Sequence, residues 1–147
     1  MTQENKRKLH LFITVCVMIF IFMQSALPGP LSGAESNFLV RLIQNLFGIE
    51  SELLPVFVRK AAHFTEYMIL GACISTNSLD WMEYKEWNIT IRRAGLYSWL
   101  IGTFYAVTDE IHQYFVPERA CALLDVCIDS AGVALGVLII MICRRKI

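Results

Sequence analysis

Two long apolar stretches, residues 9–27 and 120–143, limit the folds open to this chain more than any other feature. A bilayer core of roughly 30 Å needs about 20 helical residues, and each stretch supplies them. With 56% hydrophobic and 18% charged residues over 147 positions, the chain is too apolar for an ordinary soluble domain. Lipid is its expected solvent. Lys6, Arg7 and Lys8 ahead of the first stretch resemble the start of a secretory signal. A cut after Ala26, however, would put Gln24 where a small residue is preferred, so an uncleaved first span is expected.

Two further spans are expected at residues 56–78 and 94–113. The first carries Arg59, Lys60, His63 and Glu66, and the second has only fifteen uncharged residues, 94–108, before Asp109 and Glu110. Fifteen residues make about 22 Å of helix, so this crossing must draw in Asp109. Between the first two spans, Pro28-Gly29-Pro30 with Ser32, Gly33 and Ser36 reads as a turn. After it, Phe38, Leu39, Leu42, Ile43 and Leu46 recur at helical spacing opposite Arg41, Gln44 and Asn45. That pattern predicts an interfacial or re-entrant helix over about residues 36–47. The expected fold is all-α, a single polytopic membrane bundle of four transmembrane helices plus this short helix.

If the spans alternate, nine of the thirteen Lys and Arg residues fall on one side, in the groups 6–8, 85–93 and 144–146. An excess of basic residues marks cytoplasmic loops, so both termini are expected in the cytoplasm. Trp81, Tyr84 and Trp87 on that side, and Tyr105, Tyr114 and Phe115 on the other, fit interfacial aromatic belts.

Arg41, Arg59, Lys60 and Arg119 then lie outside, together with most of the unexplained acids. Counted inward by helical rise, His63 and Asp129 sit about 10 to 14 Å deep, with Glu66 slightly deeper and Asp109 and Asp125 shallower. Spacing gathers them further. Arg59, His63 and Glu66 share one face of their span, Asp109 and Gln113 another, and Asp125 and Asp129 lie in line with Gly132 and Gly136. A GxxxG lets a second helix approach closely, within the chain or between chains, so these faces should point into the bundle. Ionisable residues inside a membrane cost a few kcal/mol each on insertion scales, and packing does not need them. Salt bridges between helices are the alternative use for them.

The acids Glu66, Asp109, Glu110, Asp125 and Asp129 outnumber Arg59, Lys60 and Arg119, which suits proton transfer, acid–base chemistry or cation binding. His63, Glu66 and Asp109 are the candidate acid–base groups. Arg59, Lys60, Tyr67, Glu110, Gln113, Arg119, Asp125 and Asp129 are the candidate binding residues. No metal is expected, because His112 is turned about 60° from Asp109 on a helix and the run is not HExxH. No other cofactor is implied. Ser130 has no base near it in sequence, and no GxSxG is present. The five cysteines, scattered without CxxC spacing, are expected to pack as small buried apolar residues. No acidic or basic tail suggests nucleic acid.

Three segments resemble the VanZ-like family of teicoplanin-resistance-associated membrane proteins. They are residues 59–67 (RKAAHFTEY), 109–119 (DEIHQYFVPER), and Asp125 with 129–132 (DSAG). The order RKxxHFxEY, DExxQxFxxxR, Dxxx(N/D)xxG covers most of the chain once the first span is added. Asn is common in the family where this chain has Asp129, and His112 falls at a variable position. The resemblance implies a bacterial cytoplasmic-membrane protein linked to the cell envelope and to glycopeptide tolerance. Its expected partners are membrane lipids, with a lipid-linked cell-wall precursor or a lipophilic glycopeptide as further candidates. Besides such a binding protein, a membrane-embedded acid–base enzyme, a small proton-coupled transporter and a structural partner of another envelope protein stay open.

Overall fold

The computed structural model describes residues 2–48, 51–86, 88–119 and 121–145, and of Ala34, Glu35, Ser36 and Arg145 only the backbone. Trp87, Ala120 and Lys146, and the side chains of Ser36 and Arg145, which entered the turn, belt, span and charge readings, lie outside it. The described residues form five helices and no strand: α1 Gln3–Ser25, α2 Gly29–Phe47, α3 Leu54–Lys85, α4 Ile91–Tyr114 and α5 Leu123–Arg145.

Local chemistry sets the ends. Thr2 and Thr90 cap α1 and α4 by accepting hydrogen bonds from the Asn5 and Arg93 amides, relieving donors that have no helical partner. The segment expected as a turn is the start of α2 instead, which begins at Gly29 and not near residue 36. Pro28 stands at its N-cap and Pro30 in its first turn, where the missing N–H costs no helical hydrogen bond. Gly48 ends α2 with φ 65°, a left-handed position that glycine takes without strain. α1 stops at Ser25, two residues short of its expected end.

The helices other than α2 alternate in direction around α3. Cross-contacts fix this: Thr14 and His10 of α1 meet Asn77 and Asp80 near the end of α3, while Ser25 meets Asp109 near the end of α4. Lys60, early in α3, reaches Asp125, early in α5. α3 and α5 pack closest. Gly132 and Gly136 lie against the α3 backbone at Phe64, Met68 and Ala72, and Gly71 lies against Val133, so a Cβ at any of them would strike main chain. The GxxxG therefore joins two helices of one chain. Ile21, Tyr67, Leu70, Ile74, Ala106, Val133 and Val137 form the core between them. α2 rests on the start of α3 through Val40 and Ile43 against Leu54 and Val58.

The distribution of side chains is inverted relative to a water-soluble bundle. α4 buries Ala94, Gly95, Ser98, Gly102, Ala106, Asp109, Glu110 and Gln113. It exposes Leu96, Tyr97, Leu100, Ile101, Phe104, Ile111 and Tyr114. A helix in water turns its apolar stripe inward, so this one is built for an apolar solvent. α1 and α5 are long and apolar enough to cross a membrane. The cysteines depart from expectation: all five are free thiols, and Cys16, Cys121, Cys127 and Cys143 are exposed.

Candidate functional site

The first turns of α3 and α5, the last turns of α4 and α1, and the loop after α4 meet at one end of the bundle. Arg59, Lys60, His63, Glu110, Gln113, Arg119, Asp125 and Asp129 line a cavity of about 170 Å³ there, together with Glu118, Ala122 and Ile128. Eight sequence-predicted residues thus share one wall. Helical spacing explains why: Arg59 and His63 are one turn apart on α3, as are Asp125 and Asp129 on α5. Close glycine packing below brings the two helices together.

Several of these groups are held by named partners. Lys60 pairs with Asp125 across α3 and α5. Glu110 accepts a hydrogen bond from the Ala122 amide at 3.0 Å, fixing the entry to α5. Arg119 donates from Nε to the Leu27 carbonyl at 3.1 Å and from Nη2 to the Gln24 carbonyl at 3.2 Å, closing the end of α1. The Gln24 carbonyl also accepts the Leu27 amide at 3.3 Å, so the guanidinium reinforces the C-terminal turn of α1.

Asp109 lies behind the cavity, 3% exposed. Its Oδ2 accepts from Ser25 Oγ at 2.6 Å and from Gln113 Nε2 at 3.1 Å, and Gln113 also donates to Ser25 at 3.1 Å. The Asp129 Oδ1 is buried without a hydrogen-bond partner among the described residues, and the Tyr67 hydroxyl and the Asp109 Oδ1, buried beside each other, make at most a poorly aligned hydrogen bond. Both carboxylates stand close enough to Tyr67 to act on it electrostatically. Buried polar atoms of this kind cost about 1–3 kcal/mol each unless a ligand or water meets them. The structure therefore spends stability at this end.

A second cavity, of about 340 Å³, opens on the other side of α3 between α1 and α2. Arg59, His63 and Arg119 belong to both cavities. Glu66 lines only the second, and its Oε2 lies 3.9 Å from His63 Nδ1, beyond hydrogen-bond range. Tyr67 lines neither and sits in the core. His112 stacks on Phe22 with ring centroids 4.4 Å apart, away from the cavities. Ser130 hydrogen-bonds Thr103 and Trp99 inside the bundle. Among the described residues no group of three or more His, Cys, Asp or Glu is arranged to hold a metal ion.

Sequence reasoning missed Ser25, Gln24 and Glu118. The adjacent polar pair Gln24-Ser25 at the end of an apolar run was the available signal, since a polar residue inside a membrane helix needs an internal partner. It also missed a second polar node at the far end, where buried Asp80 binds His10 Nδ1 and Arg144 Nη2, each at 2.5 Å. Asn77 there donates to Thr14 Oγ1 at 2.6 Å.

Outward apolar faces, two crossing-competent helices and a charged cavity at one end define a helical membrane protein with a polar site. The chain belongs to the VanZ/LLP1 family, whose model matches residues 10–144 and thus takes in α2, α3 and α4 whole and most of α1 and α5. No curated protein and no solved structure matches it.

Proposed function

We propose that this is a four-span protein of the bacterial cytoplasmic membrane, with both termini cytoplasmic. Its polar cavity faces outward, binds an envelope lipid or lipid-linked cell-wall component, and thereby contributes to tolerance of teicoplanin-type glycopeptides. The observation that carries this reading is the cavity between α3, α4 and α5. It gathers cations and acids at the end of the bundle opposite Lys85, Arg92 and Arg144. The inverted α4 supports a crossing by a helix that composition alone would not select. α2, exposing Phe38, Leu42, Leu46 and Phe47, fits a position in the outer leaflet.

Two measurements test it. Cys121 lies exposed at the cavity end and Cys143 at the other. With the remaining thiols replaced, a membrane-impermeant maleimide should label Cys121 in intact cells and Cys143 only after permeabilisation. The reverse pattern contradicts the orientation. A deletion strain should become more sensitive to teicoplanin and recover with the wild-type gene but not with Arg59→Ala. Unchanged susceptibility removes the tolerance role.

Acid–base catalysis on the bound lipid is the second reading. It is favoured by the partnerless buried Oδ1 of Asp129 beside the cavity, since a reacting group needs an uncommitted acid or base. Turnover of lipid by purified protein, lost in Asp129→Asn, is the result that would promote it.

A further inference from the structure

The two cavities share one wall, and what lies on either side of that wall differs in kind. On the α3–α4–α5 side are Glu110, Gln113, Asp125 and Asp129, a set rich in hydrogen-bond acceptors. On the α1–α2 side Leu39, Val58 and Ala62 form an apolar stretch, with Gln24, Ser32 and Glu66 completing the lining. Leu39 is 44% exposed and Ala62 is also exposed, so this apolar stretch opens laterally to the surroundings of the bundle. The wall itself carries Arg59, His63 and Arg119. Arg59 has no hydrogen bond or ion pair among the described residues and is exposed where the cavities meet.

A ligand matched to all three zones is amphiphilic and anionic at one defined point. Arginine presents a planar fork of donors that suits a phosphate. The acids beyond it repel a second anion but accept from hydroxyl or ammonium groups. The stretch formed by Leu39, Val58 and Ala62 takes a hydrocarbon chain.

Resting on the envelope-lipid reading above, we infer that the two cavities form one site for a phosphodiester lipid with a hydrogen-bond-donating headgroup. Its phosphate sits at Arg59 and His63, its headgroup lies toward Asp129 and Glu110, and its chain leaves between α2 and α3 past Leu39 and Ala62. A free phosphate ester would share the Arg59 contact but leave the apolar stretch unfilled.

The test uses the full chain in detergent with four probes: phosphatidylglycerol, phosphatidic acid, diacylglycerol and glycerol 3-phosphate. Phosphatidylglycerol should bind tightest, and diacylglycerol and glycerol 3-phosphate at least tenfold more weakly. Arg59→Ala should weaken phosphatidylglycerol about tenfold and leave diacylglycerol unchanged, with partial recovery in Arg59→Lys. Ala62→Trp should weaken both phospholipids and spare glycerol 3-phosphate. Leu39→Trp obstructs the same path from α2 and replaces Ala62→Trp if that variant does not fold. Equal binding of phosphatidylglycerol and diacylglycerol, with Arg59→Ala silent, overturns this inference while the envelope-lipid reading stands. Tight glycerol 3-phosphate binding indifferent to both tryptophans assigns the site to free phosphate esters and overturns it too. Failure of every lipid to bind removes both readings.

Discussion

The two ends of the bundle both bury charge, and they do so differently. At the far end Asp80 has both oxygens engaged, one by His10 and one by Arg144, and Asn77 ties α3 to α1 through its amide nitrogen, while its Oδ1 and the Arg7 Nε and Nη1 are buried without a hydrogen-bond partner among the described residues. At the cavity end Ser25 and Gln113 engage one oxygen of Asp109, the other has only the poorly aligned Tyr67 hydroxyl near its carboxylate, and the Asp129 Oδ1 has no partner among the described residues. A buried charge whose atoms are all paired locks helices together. A buried carboxyl with an open oxygen beside a cavity is costly as architecture and useful as a receptor. The first end joins helices through its carboxylate, and the second leaves buried carboxyl atoms beside a cavity.

Substitutions can separate these roles. The largest effect is expected from Gly136→Val, whose side chain would strike the Met68 carbonyl and push α5 off α3. Both ends should fail together, read as loss of monodisperse protein in detergent. Next is Asp80→Ala, which leaves Arg144 and His10 facing an empty partner position. Removing one side of a buried pair costs about 3–5 kcal/mol, so the melting temperature should drop sharply. Lipid affinity of the surviving folded fraction should be unchanged. If Asp80→Ala abolishes binding in folded protein, the division between the two ends fails.

Asp129→Asn is expected to do the opposite. It keeps the shape and removes an acid that faces Asp109, Glu110, Asp125 and Glu66, so stability should hold or rise. Affinity for a phosphodiester lipid should fall several-fold, measured by titration against wild type. Ser25→Ala should be smaller, since it removes one hydrogen bond to Asp109 while Gln113 keeps the other. About 1–2 kcal/mol of stability is the expected loss, measured by thermal shift. Trp99→Phe, which gives up only the indole contacts to Ser130, should cost about 1 kcal/mol or less and leave binding intact.

What could be read from the residues alone followed from periodicity and solvent. Arg59 and His63, Asp125 and Asp129, and Asp109 and Gln113 are one helical turn apart, so their convergence was legible once the helices were known to face inward with their polar sides. The glycines of α5 announced a close helix contact but not which partner, because any neighbour with a flat surface would serve; Gly71 on α3 supplied that surface. The start of α2 was misread because Pro-Gly-Pro is as good an opening for a helix as for a turn. The Asp80 node was not legible. Its members stand at positions 10, 14, 77, 80 and 144, and each looks like an ordinary polar residue near a membrane boundary until the chain is folded. Tyr67 belonged to the recognisable segment 59–67, yet its side chain points to the core beside Asp109 and not into either cavity.

In the function proposed above, the cavity end receives an envelope amphiphile from the outer leaflet. A structure of the protein extracted with its native membrane tests this most directly. Continuous density is expected from the Asp129 side, past Arg59 and His63, to a chain lying between α2 and α3. Lipid density confined to the outward apolar faces of α1, α4 and α5, with only water between Arg59 and Asp129, would contradict it.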